Sequence, residues 1–306
     1  MSISVVIPTY QRPDTLLNCV STILAGSLKP DEIIIVGRKG DAGTENVAAD
    51  IAAKQYAKVT IRSEWVAVPG HIPPVETGVR SATSDWVAVV DDDVTVTHDW
   101  LLSVAPHFTA DDVGVVGGRV LLSGATPAKP KGKPGCISWY GKIWGNLGSM
   151  DGPTAWEVDT VMEGNCVWRR DLITSLEFDP VLNFDDASMY GLDLCLQAKK
   201  RGFRVIFEPR ALVYHHPAPR PPELRRHERG PRLYCYCRNY TYIILKRFPT
   251  WRRLVFVGWW FFVGERDAWG LASLAFDKLF GEWRKNRHVA QAWAGKIKGA
   301  RLWLAG

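Results

Sequence analysis

The chain begins with short apolar runs that alternate with segments carrying apolar residues at helical spacing. The runs are rich in valine and isoleucine and predict buried strands at 3–8, 31–36 and 86–90, with a shorter one at 59–61. The helical spacing predicts helices at 13–24, at 48–56 and just before residue 82. Strands that alternate with helices indicate βαβ units. The predicted fold is therefore α/β, with a mostly parallel sheet flanked by helices.

The rest of the chain predicts more strands, a long loop and a helical tail. Strands are expected at 113–122, 163–169, 204–209 and 211–215, and helices at 171–176 and 193–201. Residues 123–157 are rich in Gly, Pro and Lys and predict a long loop. Four prolines between 217 and 222 indicate a boundary after residue 216. Beyond it, helices are expected at 232–245, 252–263, 268–285 and 288–304.

Charge divides at the same boundary. Residues 1–216 carry 20 Lys and Arg against 26 Asp and Glu, a net charge of −6, whereas residues 217–306 carry 18 against 6, a net charge of +12. The basic tail is also aromatic, and it predicts contact with an anionic membrane surface. The apolar run 254–264 is too short to span a bilayer. Packing of these helices on the rest of the chain, or on a second copy in a homo-oligomer, is the alternative. The tail has no recognised nucleic-acid-binding motif, so nucleic acid is not an expected partner.

Cysteine usage and the N-terminus bear on where the protein works. The six cysteines lack zinc-type spacing, and several lie in apolar stretches, so we expect free thiols in a reducing compartment. The chain starts directly with a strand and shows no signal-peptide pattern. The expected location is the cytoplasm, with peripheral contact at the inner face of the cell membrane.

Three adjacent aspartates, Asp91, Asp92 and Asp93, follow the apolar run 86–90. Their mutual repulsion costs stability unless a cation or hydrogen bonds compensate. Ligands of parallel sheets bind beyond the carboxyl ends of strands, which is where the triplet falls. Carboxylate oxygens at such a place suit Mn²⁺ or Mg²⁺ bound together with substrate phosphates. An acidic turn that binds nothing is the alternative reading of the triplet alone.

Several segments in order make the sequence resemble the family 2 glycosyltransferases, which have the Rossmann-like GT-A fold. The likeness covers about residues 3–250 and rests on VVIPTYQRPDTLLNCVSTI from Val5, KPDEIIIV from Lys29, SDWVAVVDDDV from Ser84, EGNCVWRRDLI from Glu163 and GLDLCLQAKKRGFRVIFEPRALVYHH from Gly191. It implies a catalytic domain at 1–216, with the nucleotide-sugar part at about 1–122 and the acceptor part at about 123–216. Residues 217–306 would form a helical extension.

The resemblance also implies roles for single residues. Asp93 would bind the metal, with Asp91 and either His215 or His216 close by. The nucleotide sugar would be bound by a set that surrounds the triplet: Pro8, Thr9, Tyr10, Arg12, Asp91 and Asp92. The acceptor side would include Glu163 and Trp168. Simple packing is the alternative for Tyr10 and Trp168, and a surface pair is the alternative for the two histidines.

Two departures from the family pattern leave roles open. The family's Asp-Asp or Asp-Gly after the second strand, which contacts the nucleotide base, is replaced by GRKGD, so Asp41 is the candidate there, and Arg38 and Lys39 could instead face the diphosphate. The family's base motif E-D-x-D-L is replaced by Tyr190-Gly191-Leu192-Asp193-Leu194. Because Gly191 stands where the catalytic Asp is usual, the candidates for the general base are Asp193, Asp185 and Asp186.

The resemblance predicts an inverting glycosyltransferase that uses a nucleotide diphosphate sugar. The acceptor is expected to be a polysaccharide or lipid-linked glycan of cell-surface glycan synthesis. One alternative is a polyprenyl-phosphate sugar transferase, whose phosphate acceptor needs less help from a base. The other alternative is a nucleotide-sugar-binding protein that has lost catalysis, which the missing Asp at position 191 suggests.

Overall fold

The computed structural model describes residues 1–54, 56, 58–124, 133–185, 187, 189–217, 229–265, 267–280 and 288–306. Its strands are β1 Ile3–Pro8, β2 Glu32–Arg38, β3 Thr60–Val66, β4 Trp86–Val90, β5 Val94–Val96, β6 Val113–Leu122, β7 Trp156–Val158, β8 Asn165–Arg169 and β9 Arg204–His215. Its helices are α1 Pro13–Leu24, α2 Ala42–Ala53, α3 Ile72–Ser81, α4 Trp100–Val104, α5 Arg170–Ile173, α6 Tyr190–Lys200, α7 Arg229–Arg247, α8 Thr250–Gly258, α9 Leu271–Phe280 and α10 Val289–Ala305. A π-helical turn, Trp259–Val263, follows α8.

The nine strands form one mixed sheet in the order β3-β2-β1-β4-β8-β6-β9-β5, with β7 beside β9. Strands β1 to β4 pair in parallel, as the alternating pattern predicts. Strand β8 enters antiparallel between β4 and β6, so the second half of the sheet is mixed. The predicted α/β class is confirmed, and the parallel character is confined to the first half and to the β6–β9 pair.

Both faces of the sheet are buried, which explains why the strands are continuous apolar runs. Val5 and Ile7 of β1 pack with Leu16 of α1 in one cluster, whereas Val6 packs with Val75 of α3 in the other. Successive side chains of a strand point to opposite faces, so neighbouring residues enter different clusters. The strand ends at the carboxyl edge of β1 and β4 are therefore held rigidly between two layers of helices.

Several predicted boundaries were wrong for identifiable reasons. Helix α2 begins at Ala42 rather than near 48, because Asp41 caps it by accepting a hydrogen bond from the backbone N–H of Thr44. The two strands predicted at 204–209 and 211–215 are the single strand β9, which follows β6 with a shift of register between Gly118 and Arg119. Strand β7 begins within the last two residues of the predicted loop and pairs with β9. Strand β5 and helix α4 were not predicted.

The C-terminal helices pack directly against the sheet part of the chain. Helices α7 and α10 approach closely, since a Cβ at Gly295 would lie 2.5 Å from the carbonyl oxygen of Tyr234. Tyr240 and Trp260 belong to the same hydrophobic cluster as Leu192 of α6.

No helix in the described part of the chain is both long enough and apolar enough to cross a bilayer. The division of the chain at residue 216 stays a prediction.

Candidate active site

A cleft of about 470 Å³ opens at the carboxyl ends of β1 and β4. We call it the donor cleft. It is lined by the residues after β1, the aspartate triplet after β4, and segments that come from elsewhere in the chain, among them Arg38, His71, Asn183, Asp185 and His215. Because β1 and β4 are adjacent parallel strands, residues about 80 positions apart meet at this edge. The structure therefore brings together the N-terminal residues and the aspartates that the sequence singled out.

Asp92 and Asp93 are buried carboxylates that share one guanidinium. Arg12 donates from Nη1 to Asp92 Oδ1 and to Asp93 Oδ2, each at 2.9 Å. The hydroxyl of Thr9 donates to Asp92 Oδ2 at 2.8 Å. Both aspartates are only 4% exposed. Arg12 was predicted near the diphosphate, and its observed partners are the carboxylates at the floor of the same cleft.

The charge balance at this site fits a divalent cation. The pKa of the Asp92 carboxyl is raised to about 6. Burial raises it most, the charge of Arg12 lowers it, and the charge of Asp93 raises it. The cleft thus gathers more negative charge than Arg12 offsets. No group of three or more His, Cys, Asp or Glu side chains forms a metal cage among the residues described. Mg²⁺ and similar ions are commonly held by one or two carboxylates together with substrate phosphates, and Asp91 and Asp93 could supply those carboxylates.

His215, rather than His216, belongs to the site. The Nε2 atom of His215 lies 3.1 Å from Asp93 Oδ1 in the donor cleft. His216 instead places its Nε2 atom 2.9 Å from the Thr95 hydroxyl, while its backbone N–H donates to the carbonyl of Asp93 at 2.8 Å. The antiparallel pairing of β5 with β9 brings this end of β9 beside the residues after the triplet. Asp93 is therefore the residue that Arg12 and His215 contact from two sides.

The nucleotide side of the cleft differs from prediction at Asp41. Tyr10 lines the cleft, and the guanidinium carbon of Arg38 lies 5.2 Å from the centroid of its ring. Asp41 does not line the cleft; it is 8% exposed and binds the hydroxyl of Thr44 at 2.6 Å and the backbone N–H of Gln11. Asp41 was predicted to contact the base, but its carboxylate is already used to cap α2 and to fix the loop after β1. Arg38 is the polar residue that this segment turns toward the cleft.

A second and larger cleft, of about 700 Å³, lies next to the first. We call it the acceptor cleft because Glu163, a residue predicted on the acceptor side, lines it. Its walls come from the loop after residue 133, from the segment before β8 that includes Glu163, from the start of α6, and from the C-terminal helices through Arg229, Arg232, Tyr236 and Glu265. Glu163 was predicted on the acceptor side and lines this cleft. The contribution of the C-terminal helices was not predicted.

The donor and acceptor clefts meet at the residues that precede β8. The backbone N–H of Asp91 donates to the carbonyl of Gly164 at 3.4 Å. A Cβ placed on Gly164 would lie 2.1 Å from Asp91 Oδ2, so the carboxylate rests directly on this glycine. Asp91 lines the donor cleft and Glu163, one residue before Gly164, lines the acceptor cleft. Residues that line the two clefts are therefore linked through one contact, that of Asp91 with the residue after Glu163.

Two predicted site residues lie elsewhere. Trp168 was predicted to bind the acceptor, but it is 2% exposed, lies in the core and donates its indole N–H to the sulfur of Cys166 at 3.1 Å. Asp193 was predicted as a general base, but it is 1% exposed and lines neither cleft. Its two oxygens accept from Nε and Nη2 of Arg247 at 2.6 and 2.7 Å. A carboxylate fixed in this way is a structural ion pair, so this prediction does not fit the structure.

Of the two remaining candidates for the general base, Asp185 and Asp186, the structure describes only Asp185. Asp185 lines the donor cleft and has a positive φ of 53°. Asp186 lies outside the described residues. His71 and Asn183, which the sequence analysis did not single out, line the cleft as well, and a Cβ at Gly70 would collide with the Asn183 amide. The Pro69-Gly70 pair was the available signal, because such pairs mark turns that carry side chains to a site.

The α/β sheet and the acidic cleft at the carboxyl ends of β1 and β4 are the features expected of the GT-A fold. A sequence profile for "Glycosyl transferase family 2" matches residues 4–172, more than half of the chain. The chain belongs to this family. The predicted family is thereby confirmed.

One curated relative and two solved structures illustrate the likeness. The pre-mycofactocin glycosyltransferase of Mycobacterium tuberculosis is 31% identical over 147 residues, which cover 45% of this chain and 28% of the relative. Staphylococcus aureus TarS residues 1–349, solved with UDP-GlcNAc, has a TM-score of 0.59 at 14% identity and covers 98% of this chain and 81% of its own. The mannosyltransferase PcManGT of Pyrobaculum calidifontis, solved with GDP-Man and Mn²⁺, has a TM-score of 0.58 at 14% identity, with coverages of 99% and 88%. At these identities the structures establish the fold alone.

Proposed function

We propose that the protein is an inverting glycosyltransferase that moves a sugar from a nucleoside diphosphate donor to a hydroxyl of a glycan or lipid-linked acceptor, in the synthesis of cell-surface glycans. The observation that carries the proposal is the contact of Asp91, which lines the donor cleft, with Gly164, which follows Glu163 of the acceptor cleft. Such a contact would place the reactive carbon of one substrate beside the nucleophile of the other. The solved relatives with bound UDP-GlcNAc and GDP-Man support this class of donor.

In this proposal the residues of the donor cleft divide the binding of the donor. Tyr10 and Arg38 face the nucleoside. Tyr10 follows Pro8 at the end of β1, and Arg38 is the last residue of β2. Thr9 and Arg12 hold the buried Asp92, and Asp91 with Asp93 binds Mn²⁺ or Mg²⁺, with His215 beside them. The cation supplies charge neutralisation for the departing nucleoside diphosphate. The protein groups are fixed before the donor arrives, so little reorganisation is needed during the reaction.

Binding of the donor should depend on the cation. We expect a nucleotide sugar, tested as UDP-GlcNAc and GDP-mannose with Mn²⁺, to raise the melting temperature by about 5 °C at saturating concentrations, because a ligand that binds only the native state stabilises it. The same nucleotide sugars in EDTA should give no shift. The measurement is a thermal-shift panel of these nucleotide sugars. The controls are the same sugars without a nucleotide, GlcNAc and mannose. Equal shifts with and without EDTA would contradict the proposed site.

A polyprenyl-phosphate sugar transferase is the second candidate. The specific observation in its favour is the presence of Arg229 and Arg232 at the acceptor cleft, since arginine binds phosphate groups well. Assays that offer polyprenyl phosphate and lipid-linked saccharide as separate acceptors distinguish the two. Donor binding without turnover on any acceptor would instead favour a protein that has lost catalysis.

We also propose a peripheral contact with the inner face of the cell membrane through the C-terminal aromatic surface, defined as Trp139, Trp251, Leu254, Phe262 and Val263. These apolar side chains are 50–71% exposed. Trp251 and Leu254 lie one turn apart on α8, so they share a side of the helix. Arg252 bonds the carbonyl of Trp139 at 3.2 Å, which brings the loop beside α8. Exposed tryptophan and phenylalanine on a basic segment are typical of interfacial binding.

Polar substitutions on this surface should weaken membrane binding. The triple variant Trp251→Ser, Leu254→Ser, Phe262→Ser is expected to reduce cosedimentation with phosphatidylglycerol vesicles at least about tenfold, because each inserted side chain contributes about 1.5–3 kcal/mol. The matched control is Leu17→Ser with Leu102→Ser, which changes exposed leucines on α1 and α4. Equal sedimentation of both variants and the unmodified protein would exclude this surface. A loss of dimer in the triple variant would assign the surface to a second copy of the chain.

A further inference from the structure

Gly191 marks a close contact between α6 and the segment before β8. A Cβ placed on Gly191 would lie 2.5 Å from Cγ of Glu163, nearer than atoms of this kind approach. Gly191 is helical and does not need a left-handed conformation. Glycine is therefore required here for space alone, and the side chain that takes the space is that of Glu163.

The Glu163 carboxylate is held at the first turn of α6. Its Oε1 atom accepts a hydrogen bond from the backbone N–H of Gly191 at 2.8 Å. Gly191 is the second residue of α6, so this N–H is one of the donors that have no partner within the helix. The N-terminus of a helix interacts favourably with negative charge, so this contact orients the carboxylate. An ionised, oriented carboxylate is the form that can accept a proton.

The position of Glu163 relative to the two clefts is the second observation. Glu163 lines the acceptor cleft. The carboxylate of Asp91 packs against the α-carbon of the next residue, Gly164. Asp91 lines the donor cleft. Three acidic residues are described in the acceptor cleft: Glu163, Glu265 and Asp267. Glu265 and Asp267 come from the C-terminal end of the chain, so Glu163 is the one that lies next to the donor cleft. Glu163 is thus next in sequence to the residue that contacts Asp91 of the donor cleft.

We propose that Glu163 is the general base of the transfer and that Gly191 makes room for it; the proposal rests on the function proposed above. The acceptor oxygen forms a bond to the anomeric carbon as the bond from that carbon to the diphosphate oxygen breaks. The proton of the acceptor hydroxyl passes to Glu163, and the bonding electron pair leaves with the nucleoside diphosphate. Glu163 then returns the proton to water. Attack opposite the leaving group inverts the anomeric centre.

Glu163→Gln tests the assignment through rate and pH dependence. With UDP-GlcNAc or GDP-mannose, whichever the unmodified protein turns over, and Mn²⁺, we expect kcat to fall about 10²–10³-fold while the donor KM is unchanged. The fall in rate toward low pH, where the base is protonated, should disappear in this variant. Glu163→Asp should retain part of the rate. Glu157→Gln is the matched control, because Glu157 is exposed on β7 and lines neither cleft.

A relocation experiment separates a base from a structural carboxylate. In Glu163→Ala the space over Gly191 is empty, so the double variant Glu163→Ala, Gly191→Asp can place a carboxylate there from the helix. We expect kcat of the double variant to be at least about tenfold higher than that of Glu163→Ala. The fall of kcat toward low pH should also return. A purely structural loss would not be repaired by a carboxylate on a different backbone position.

The outcomes are distinct. Near-normal kcat in Glu163→Gln overturns the assignment, as does loss of the low-pH limb in Asp185→Asn while Glu163→Gln keeps it. If Glu163→Gln does not fold, judged by the absence of a cooperative melting transition, Gly191→Ala decides, since its methyl group should displace Glu163 and lower kcat without loss of donor binding. An unmodified protein that binds donors but never turns them over refutes the proposed function as well.

Discussion

Asp93→Ala should lower donor turnover in the presence of Mn²⁺ at least about 100-fold and leave the fold intact. Asp93 is the triplet member that both Arg12 and His215 contact, and its carboxylate would bind the cation beside the diphosphate. Its loss removes charge neutralisation at the leaving group, which no neighbouring group replaces in the same place. The measurement is release of nucleoside diphosphate at saturating donor and increasing Mn²⁺.

The same variant should fold because it relieves repulsion rather than creating it. Asp93 contributes to the raised pKa of Asp92, so removing Asp93 lets Asp92 ionise more easily beside Arg12. Circular dichroism and the melting temperature without ligand test this point. Asp50→Ala, which changes an exposed carboxylate of α2, is the matched control and should leave turnover unchanged. Metal-dependent turnover at the unmodified rate in Asp93→Ala would remove the cation from this site.

The donor cleft could be predicted from the sequence because its signals are local. An apolar run followed at once by Asp91, Asp92 and Asp93 describes a buried strand and its carboxyl end in eight residues. The apolar run 3–8, with Thr9, Tyr10 and Arg12 after it, likewise predicts the neighbouring strand and the residues at its carboxyl end. Adjacent parallel strands end at one edge, so the two segments had to meet. The pairing of β1 with β4 confirms this step.

The acceptor side could not be predicted in this way because its contacts join distant parts of the chain. Asp193 has the position and the local pattern of an N-terminal helix carboxylate, and only Arg247, 54 residues later, determines that it is a buried ion pair. Glu163 and Gly191 are 28 residues apart, and their contact explains the glycine. Trp168 lies on a central strand between β4 and β6, and its side chain is buried in the same hydrophobic cluster as Leu192, which follows 24 residues later.

Arg247→Met should destabilise the protein by about 3–5 kcal/mol, because it leaves Asp193 buried without its ionic partner. Asp193 is 1% exposed, and its other partner, Gln197, donates a single hydrogen bond at 2.8 Å. Methionine fills most of the volume of the arginine stem, so lost packing contributes little. The free energy of unfolding from urea titration, followed by circular dichroism, gives the magnitude. The effect should be on stability, with kcat per folded molecule unchanged at low temperature.

The control for this prediction is Arg204→Met, which breaks a bidentate pair with Asp112 at the surface. Both partners there are well exposed, so solvent already screens the pair and its loss should not change the urea midpoint measurably. The contrast isolates burial as the cause, since the two substitutions are chemically identical. A stable Arg247→Met protein with abolished kcat would mean that Asp193 acts in the chemistry, and it would return that residue to the list of candidate bases. A large loss of stability with kcat preserved would assign the Asp193–Arg247 pair to the attachment of α7 to α6.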